Sequence, residues 1–249
     1  MKKFELTSET KINIFGKKLF RIKALISFGN VETGETGGWV EKEENVNQSG
    51  DAWVFDNAEV FDNARVSDNA RVFGNARVFD NARVSGNAWA FGNARVSDNA
   101  RVSGNARVFG NARVSGNARV FGNARVSYNA EVFGNARVSG NAEVFGNARV
   151  SYNAEVSGNA EVFDNAWVFG NARVFDNADY ATIHGFGTQF RTTTFFRCKD
   201  KQVKVSCGCF YGTIPEFREQ VKNTRKGKIA EEYLMIADLM EKHFAEEAK

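Results

Sequence analysis

Valine recurs every six residues from Val54 to Val174, with Ala90 the only exception among 21 consecutive positions. The repeating unit is Asn-Ala-(Arg/Glu/Trp)-Val-(Ser/Phe)-(Gly/Asp), as in Asn75 to Asp80 and Asn105 to Gly110. Side chains of an extended chain alternate between two faces, so Ala and Val share one side while Arg and the Ser/Phe position share the other. Arg must meet water, which puts Ala and Val inside and sends Phe out with Arg. The remaining Gly/Asp-Asn pair carries turn chemistry, because these residues tolerate positive φ. Each hexad therefore predicts one short strand and one corner. Three hexads close a triangular coil, and about seven such coils, stacked as parallel strands about 4.8 Å apart, rise about 33 Å. Asn at each corner is positioned to stack into amide ladders along the axis.

The flanks lose this period and read as the caps that a solenoid needs to protect its terminal strand edges. On the N-terminal side the pattern predicts short strands at Lys11–Phe15 and Leu19–Ile26 and a Gly-rich turn at Gly34–Gly38. Val40 and Val46 are six apart but out of phase with Val54, which predicts an irregular entry coil. On the C-terminal side Thr192–Arg197 and Gln202–Ser206 predict a hairpin. Thr213-Ile214-Pro215-Glu216 is a capping box that starts a helix running to about Thr224. A second helix is expected from Lys228 to about Glu246, with Ile229, Tyr233, Ile236, Ala237, Met240 and Phe244 on one face. The expected organisation is a β-rich cap and entry coil over residues 1–50, a hexapeptide-repeat β-helix over 51–180, and an α+β cap over 181–249. The fold class is mainly β, a single-chain triangular parallel β-helix.

The hexads Val-Ser-Gly-Asn-Ala-Arg and Val-Phe-Gly-Asn-Ala-Arg resemble the hexapeptide repeat of left-handed parallel β-helix proteins, the bacterial transferase hexapeptide class, over about half of the chain. The resemblance implies a left-handed coil; a right-handed, bactofilin-like triangular helix is the alternative. In the flanks, Arg21-Ile22-Lys23-Ala24-Leu25, the run Gly37-Gly38-Trp39-Val40-Glu41-Lys42-Glu43-Glu44-Asn45 and Cys207-Gly208-Cys209-Phe210-Tyr211-Gly212-Thr213 resemble uncharacterised phage and prophage proteins that carry the same array between the same caps. That resemblance implies a viral accessory origin and supplies no activity.

Formal net charge is only +3, so bulk electrostatics name no partner. The distribution is more informative: no Lys lies between Lys42 and Lys199, and every basic residue in that span is Arg. Cys198, Cys207 and Cys209 are odd in number and clustered, which favours a reducing compartment over a disulfide framework. The opening residues hold no apolar stretch of signal-peptide or membrane length. The expected setting is the cytoplasm of a host cell, with no membrane partner.

Transferases of the hexapeptide class use a His general base beside a loop that breaks the coil. Here His184 and His243 lie outside the repeat and nothing interrupts its phase, so the expectation is a protein that is not an enzyme and needs no cofactor, a degenerate acyltransferase being the alternative. Cys198, Cys207 and Cys209 are the candidate metal ligands, but the Cys-x₂-Cys spacing of structural zinc is missing. Strand alternation would place Cys207 and Cys209 on one face as packed thiols, so no metal is expected.

Residues 18 apart stack, which sorts the outward positions into three columns. One is an aromatic stripe: Trp53, Phe55, Phe73, Trp89, Phe91, Phe109, Phe145 and Phe163. These eight are the candidate self-association interface, because so large an apolar patch is unusual on a monomer. A second is an arginine ladder, Arg65, Arg83, Arg101, Arg119 and Arg137, alongside a Ser-rich column with Phe121 and Phe175. These five Arg are the candidate contact for an anionic partner, a protein (a host-defence component among them) or nucleic acid. The third is mixed, and Glu131, Glu143, Glu155 and Glu161 make the C-terminal end of the rod acidic. The function expected is a phage-type binding and assembly protein, and the alternative is a self-assembling element of a virion or filament.

Overall fold

The computed structural model describes residues 2–245. Twenty-one two-residue strands run from Trp53–Val54 to Arg173–Val174, and they stack in parallel with a register of 18, as in Arg83–Val84 against Arg101–Val102 and Arg119–Val120. Two of the three sheets hold 7 strands each and consist of hexad strands alone; the third has 10 because three N-terminal strands extend it. Every Ala and Val of the array is at most 1% exposed, so the interior is a single column of small and β-branched side chains. Alternation predicts this inside-outside division, and the array follows it throughout.

The corners explain why nearly every hexad carries a Gly/Asp-Asn pair, Tyr128 and Tyr152 being the two exceptions. The Gly or Asp residue takes a left-handed conformation, φ 67° at Gly104 and 55° at Asp98. At Gly86 a Cβ would stand 3.0 Å from the Gly104 nitrogen one coil on, so Gly relieves both the φ and the close stacking. The Asn that follows donates its backbone N–H to the next coil, Asn87 to Gly104 O at 2.8 Å. Its side chain joins an amide ladder, with Asn69, Asn87, Asn105, Asn123, Asn141 and Asn159 linked Nδ2 to Oδ1 at 2.9–3.1 Å.

A stack of parallel coils has a polarity. Each strand N–H donates to the coil below, as Arg101 N does to Ala118 O. The first coil therefore leaves carbonyls without donors, and the last leaves N–H groups without acceptors. At the N-terminal end Lys3 Nζ donates to Gly50 O and Ala52 O at 3.1 and 2.9 Å, and Asn45 Nδ2 to Asp62 O and Ala64 O. At the C-terminal end the caps supply acceptors. Thr194 Oγ1 receives Trp167 N, Asn177 Oδ1 receives Glu161 N, and Asp179 Oδ2 receives Phe175 N. Cap residues thus pair with part of the exposed edge at each end of the rod.

The N-terminal cap is a hairpin, Phe4–Ile12 with Lys18–Ala24, continued by Thr36–Val40. It differs from the expected Lys11–Phe15 strand because Asn13 Oδ1 accepts from Phe15 N and Lys17 N and turns the chain there. Gly37 and Gly38 lie in a strand rather than the expected turn, since any Cβ on them would meet Trp53 and Val54 at 2.6 Å. Val40 pairs with Val60 and Val46 with Val66, an entry coil offset from the 18-residue register. The C-terminal cap is a four-stranded antiparallel sheet, 180–186, 191–197, 203–207 and 210–213, of which the sequence predicted the middle hairpin. Against it pack α1, Ile214–Thr224, and α2, Gly227–His243. Thr213 and Glu216 form the expected capping box. The predicted end of α2 at Glu246 lies outside the described residues.

Candidate functional site

The three faces of the rod differ in how far their outward side chains satisfy one another. On the aromatic face, Phe73, Phe91 and Phe109 stack with centroids 4.7 and 4.9 Å apart and planes within 5°. Phe145 stacks on Phe163 at 5.3 Å. Trp89 stands edge-on to Phe73, with the Arg107 guanidinium 4.7 Å above its ring. Phe55, Phe73, Trp89, Phe91, Phe109 and Phe145 are half-buried, and only Phe163 reaches the exposed range. Trp53 corrects the sequence reading: it is fully buried, with Phe4 and Phe28 of the N-terminal cap packed edge-on against it, so it contributes nothing to an outer face. Spacing alone could not show that the cap reaches over this rung.

The mixed face is covered at its N-terminal end. Phe15, from the hairpin turn, lies 5.5 and 5.3 Å from Phe61 and Phe79, which stack on each other at 5.1 Å. Its carboxylates are paired: Glu59 with Lys11 and Arg77, and Glu131 with Arg113 and Arg149. On the aromatic face Arg125 pairs with Glu143.

The third face is different. Arg65, Arg83, Arg101, Arg119 and Arg137 are all exposed, and they stand on consecutive rungs in register. Among the described residues none of the five forms an ion pair. The one acid in the column, Glu155, is held by Lys199 of the C-terminal cap at 3.0 Å. Carboxylates at the adjoining corners are turned along the rod: Asp68 accepts from Gly86 N and Asp98 from Gly116 N, each at 2.9 Å. Phe121 and Phe175, in the Ser column beside the Arg ladder, are 37% and 41% exposed. Their special position was legible, since residues 18 away are Ser103, Ser139 and Ser157, so neither ring has a stacking neighbour in its own column. Lys199 was not legible, because no period connects it with residue 155.

The titratable candidates of the C-terminal cap do not converge. Cys198 is buried, which pushes its thiol up to about 11, and it sits where the chain bridges Ala172. Cys207 pairs across its strand with Phe210 and accepts a hydrogen bond from Thr193 Oγ1, while Cys209 lies exposed in the intervening turn. That turn corrects the expectation that alternation puts both thiols on one face. Among the described residues no three His, Cys, Asp or Glu side chains gather as a metal site would require. His184 Nδ1 lies 3.2 Å from Thr192 Oγ1 on the exposed side of the cap sheet, and His243 ends α2.

Comparison with known families bears on the array itself. Residues 64–78, 76–90, 94–110, 100–115 and 112–128 match the model of the YdcK beta solenoid repeat. The chain is a repeat β-solenoid protein. No curated protein matches it. The matched segments of the solenoid include Arg65, Arg83, Arg101 and Arg119. No helix among the described residues is long and apolar enough to cross a membrane.

Proposed function

We propose that this solenoid is a non-enzymatic binding scaffold that engages an anionic macromolecular partner through Arg65, Arg83, Arg101, Arg119 and Arg137. One observation carries the reading: five consecutive exposed guanidinium groups lie in line and, among the described residues, none forms an ion pair. Elsewhere the Arg columns are broken by Glu59 and Glu131 on one face and by Trp89, Glu143 and Glu161 on the other. Like charges at this spacing repel within the roughly 8 Å screening length of physiological salt. An anionic partner relieves the repulsion and meets planar forks suited to phosphate or carboxylate. Retention on a heparin resin tests this. The wild type should elute at higher salt than a variant carrying Arg83→Gln, Arg101→Gln and Arg119→Gln; co-elution of the two would refute it.

Self-association through Phe73, Phe91, Phe109 and Phe145 is the second reading, favoured by the stacked run Phe73–Phe91–Phe109, which Ser127 separates from Phe145. A sedimentation mass above that of one chain, lowered by Phe73→Ser, Phe91→Ser and Phe109→Ser, would support it. The caps over both ends of the rod weigh against open-ended stacking of coil on coil into a filament. In this reading the protein is an accessory factor of phage or prophage type. Turnover of an acyl-coenzyme A that is lost on His184→Ala would instead favour a transferase.

A further inference from the structure

The Arg face also carries two features that a purely electrostatic strip does not need. Phe121 and Phe175 interrupt a column otherwise made of Ser67, Ser85, Ser103, Ser139 and Ser157, and they are among the most exposed Phe side chains of the array. On the aromatic face Phe73, Phe91 and Phe109 stack on one another, as do Phe145 and Phe163. Among the described residues Phe121 stacks with no other aromatic ring, and the Arg173 guanidinium lies 4.4 Å from the centre of the Phe175 ring. Ser serves at five other rungs of this column, so the repeat itself does not require an aromatic ring at these two.

From the ring-bearing rung of Arg119 and Phe121 to that of Arg173 and Phe175 is three coils, about 14 Å, and the column from Arg65 to Arg173 spans about 29 Å. A cationic rail with aromatic platforms beside it is the arrangement that holds a single strand, whose phosphates follow the charges while unpaired bases lie on the rings. In a duplex the base faces are already stacked on one another, so a surface ring has nothing to cover. An acidic polypeptide would use the guanidinium groups and leave the rings idle. Lys199 fits this picture, since it neutralises the one carboxylate that would repel a strand between the two Phe rungs.

We infer that the anionic partner of this face is a single-stranded nucleic acid, with phosphates on the Arg ladder and bases stacked on Phe121 and Phe175. The inference rests on the Arg face being the binding surface. Side chains of this column point into solvent, so replacing Phe by the Ser of neighbouring rungs leaves the interior untouched.

The experiment measures binding of fluorescent 20-nucleotide oligothymidylate, a duplex of equal length and poly-L-glutamate over a range of salt, to the full chain. Oligothymidylate should bind with affinity that falls as salt rises, and more tightly than the duplex. Phe121→Ser should weaken it about 5- to 150-fold, the range expected for one stacked base, with the salt slope unchanged. Arg83→Gln, Arg101→Gln and Arg119→Gln together should flatten the slope by about 2 and weaken binding about 100-fold at 0.1 M salt, at ~0.7 per phosphate contact on a single strand. Phe133→Ser, on the mixed face, should change nothing. If polyglutamate or the duplex binds through the Arg ladder and Phe121→Ser has no effect, the single-strand inference fails while the anionic-partner reading stands. If no polyanion binds, or binding survives the Arg replacements, both fail.

Discussion

Ala90 offers the sharpest test of how the interior is packed. It is the one small residue at the inward Val position, fully buried, and it lies in register with Val72 and Val108. The corners on these three rungs share one geometry, φ 68°, 67° and 68° at Gly74, Gly92 and Gly110. A Val at position 90 can therefore adopt the rotamer of its neighbours and fill the space their methyl groups define. Ala90→Val adds two buried methyl groups, about 1.6 kcal/mol at ~0.8 kcal/mol each, and β-branching suits a strand. With m of about 1–3 kcal/mol/M, the urea midpoint should rise by roughly 0.5 to 1.6 M. Repeat arrays are stabilised by nearest-neighbour contacts, so hydrogen exchange should slow first at residues 71–73, 89–91 and 107–109. A lower midpoint would mean that the coil has closed around Ala90 and Val overpacks it. An unchanged one would mean that the position holds no recoverable space. Either result refutes the idea of a uniform interior column.

Three further outcomes follow from named contacts. Asn105→Ala removes the amide bonds to Asn87 and Asn123, and at about 0.5–1.5 kcal/mol per bond the loss should be about 1–3 kcal/mol by urea denaturation; no loss would mean that the ladders are idle. Burial lowers the Lys3 ammonium to about 8, from an ordinary 10.5. Between those values the unfolded chain holds more protons, so the contribution of Lys3 to stability should rise with pH across that window. The stability of the wild type relative to Lys3→Met, compared at pH 8 and 10.5, should grow; a difference that stays level or shrinks refutes the burial argument. Thr213→Ala breaks the capping box of α1 and should cost about 1 kcal/mol, with exchange speeding up in the C-terminal cap and not in the solenoid.

The hexad pattern alone determines the inside of this protein. Alternation sends Ala and Val inward at every rung, the Gly/Asp-Asn pair makes every corner but those at Tyr128 and Tyr152, and a three-hexad coil yields the columns, because all of these depend on neighbours six or 18 residues away. The capping box of α1 is equally local. The outside was decided by contacts that no period encodes. Trp53 and Phe55 belong to the same column and hexad, yet the hairpin that carries Phe4 buries Trp53 fully and leaves Phe55 partly open. Phe61 and Phe79 are covered by Phe15 from a turn that Asn13 creates. Cys207 and Cys209 were parted by a two-residue turn where alternation ceases to apply. Glu155 was neutralised by Lys199, 44 residues away. Which face stays open and charged is thus a property of how the caps fold over the ends of the rod, because long-range packing, and not periodicity, determines what an outward side chain meets.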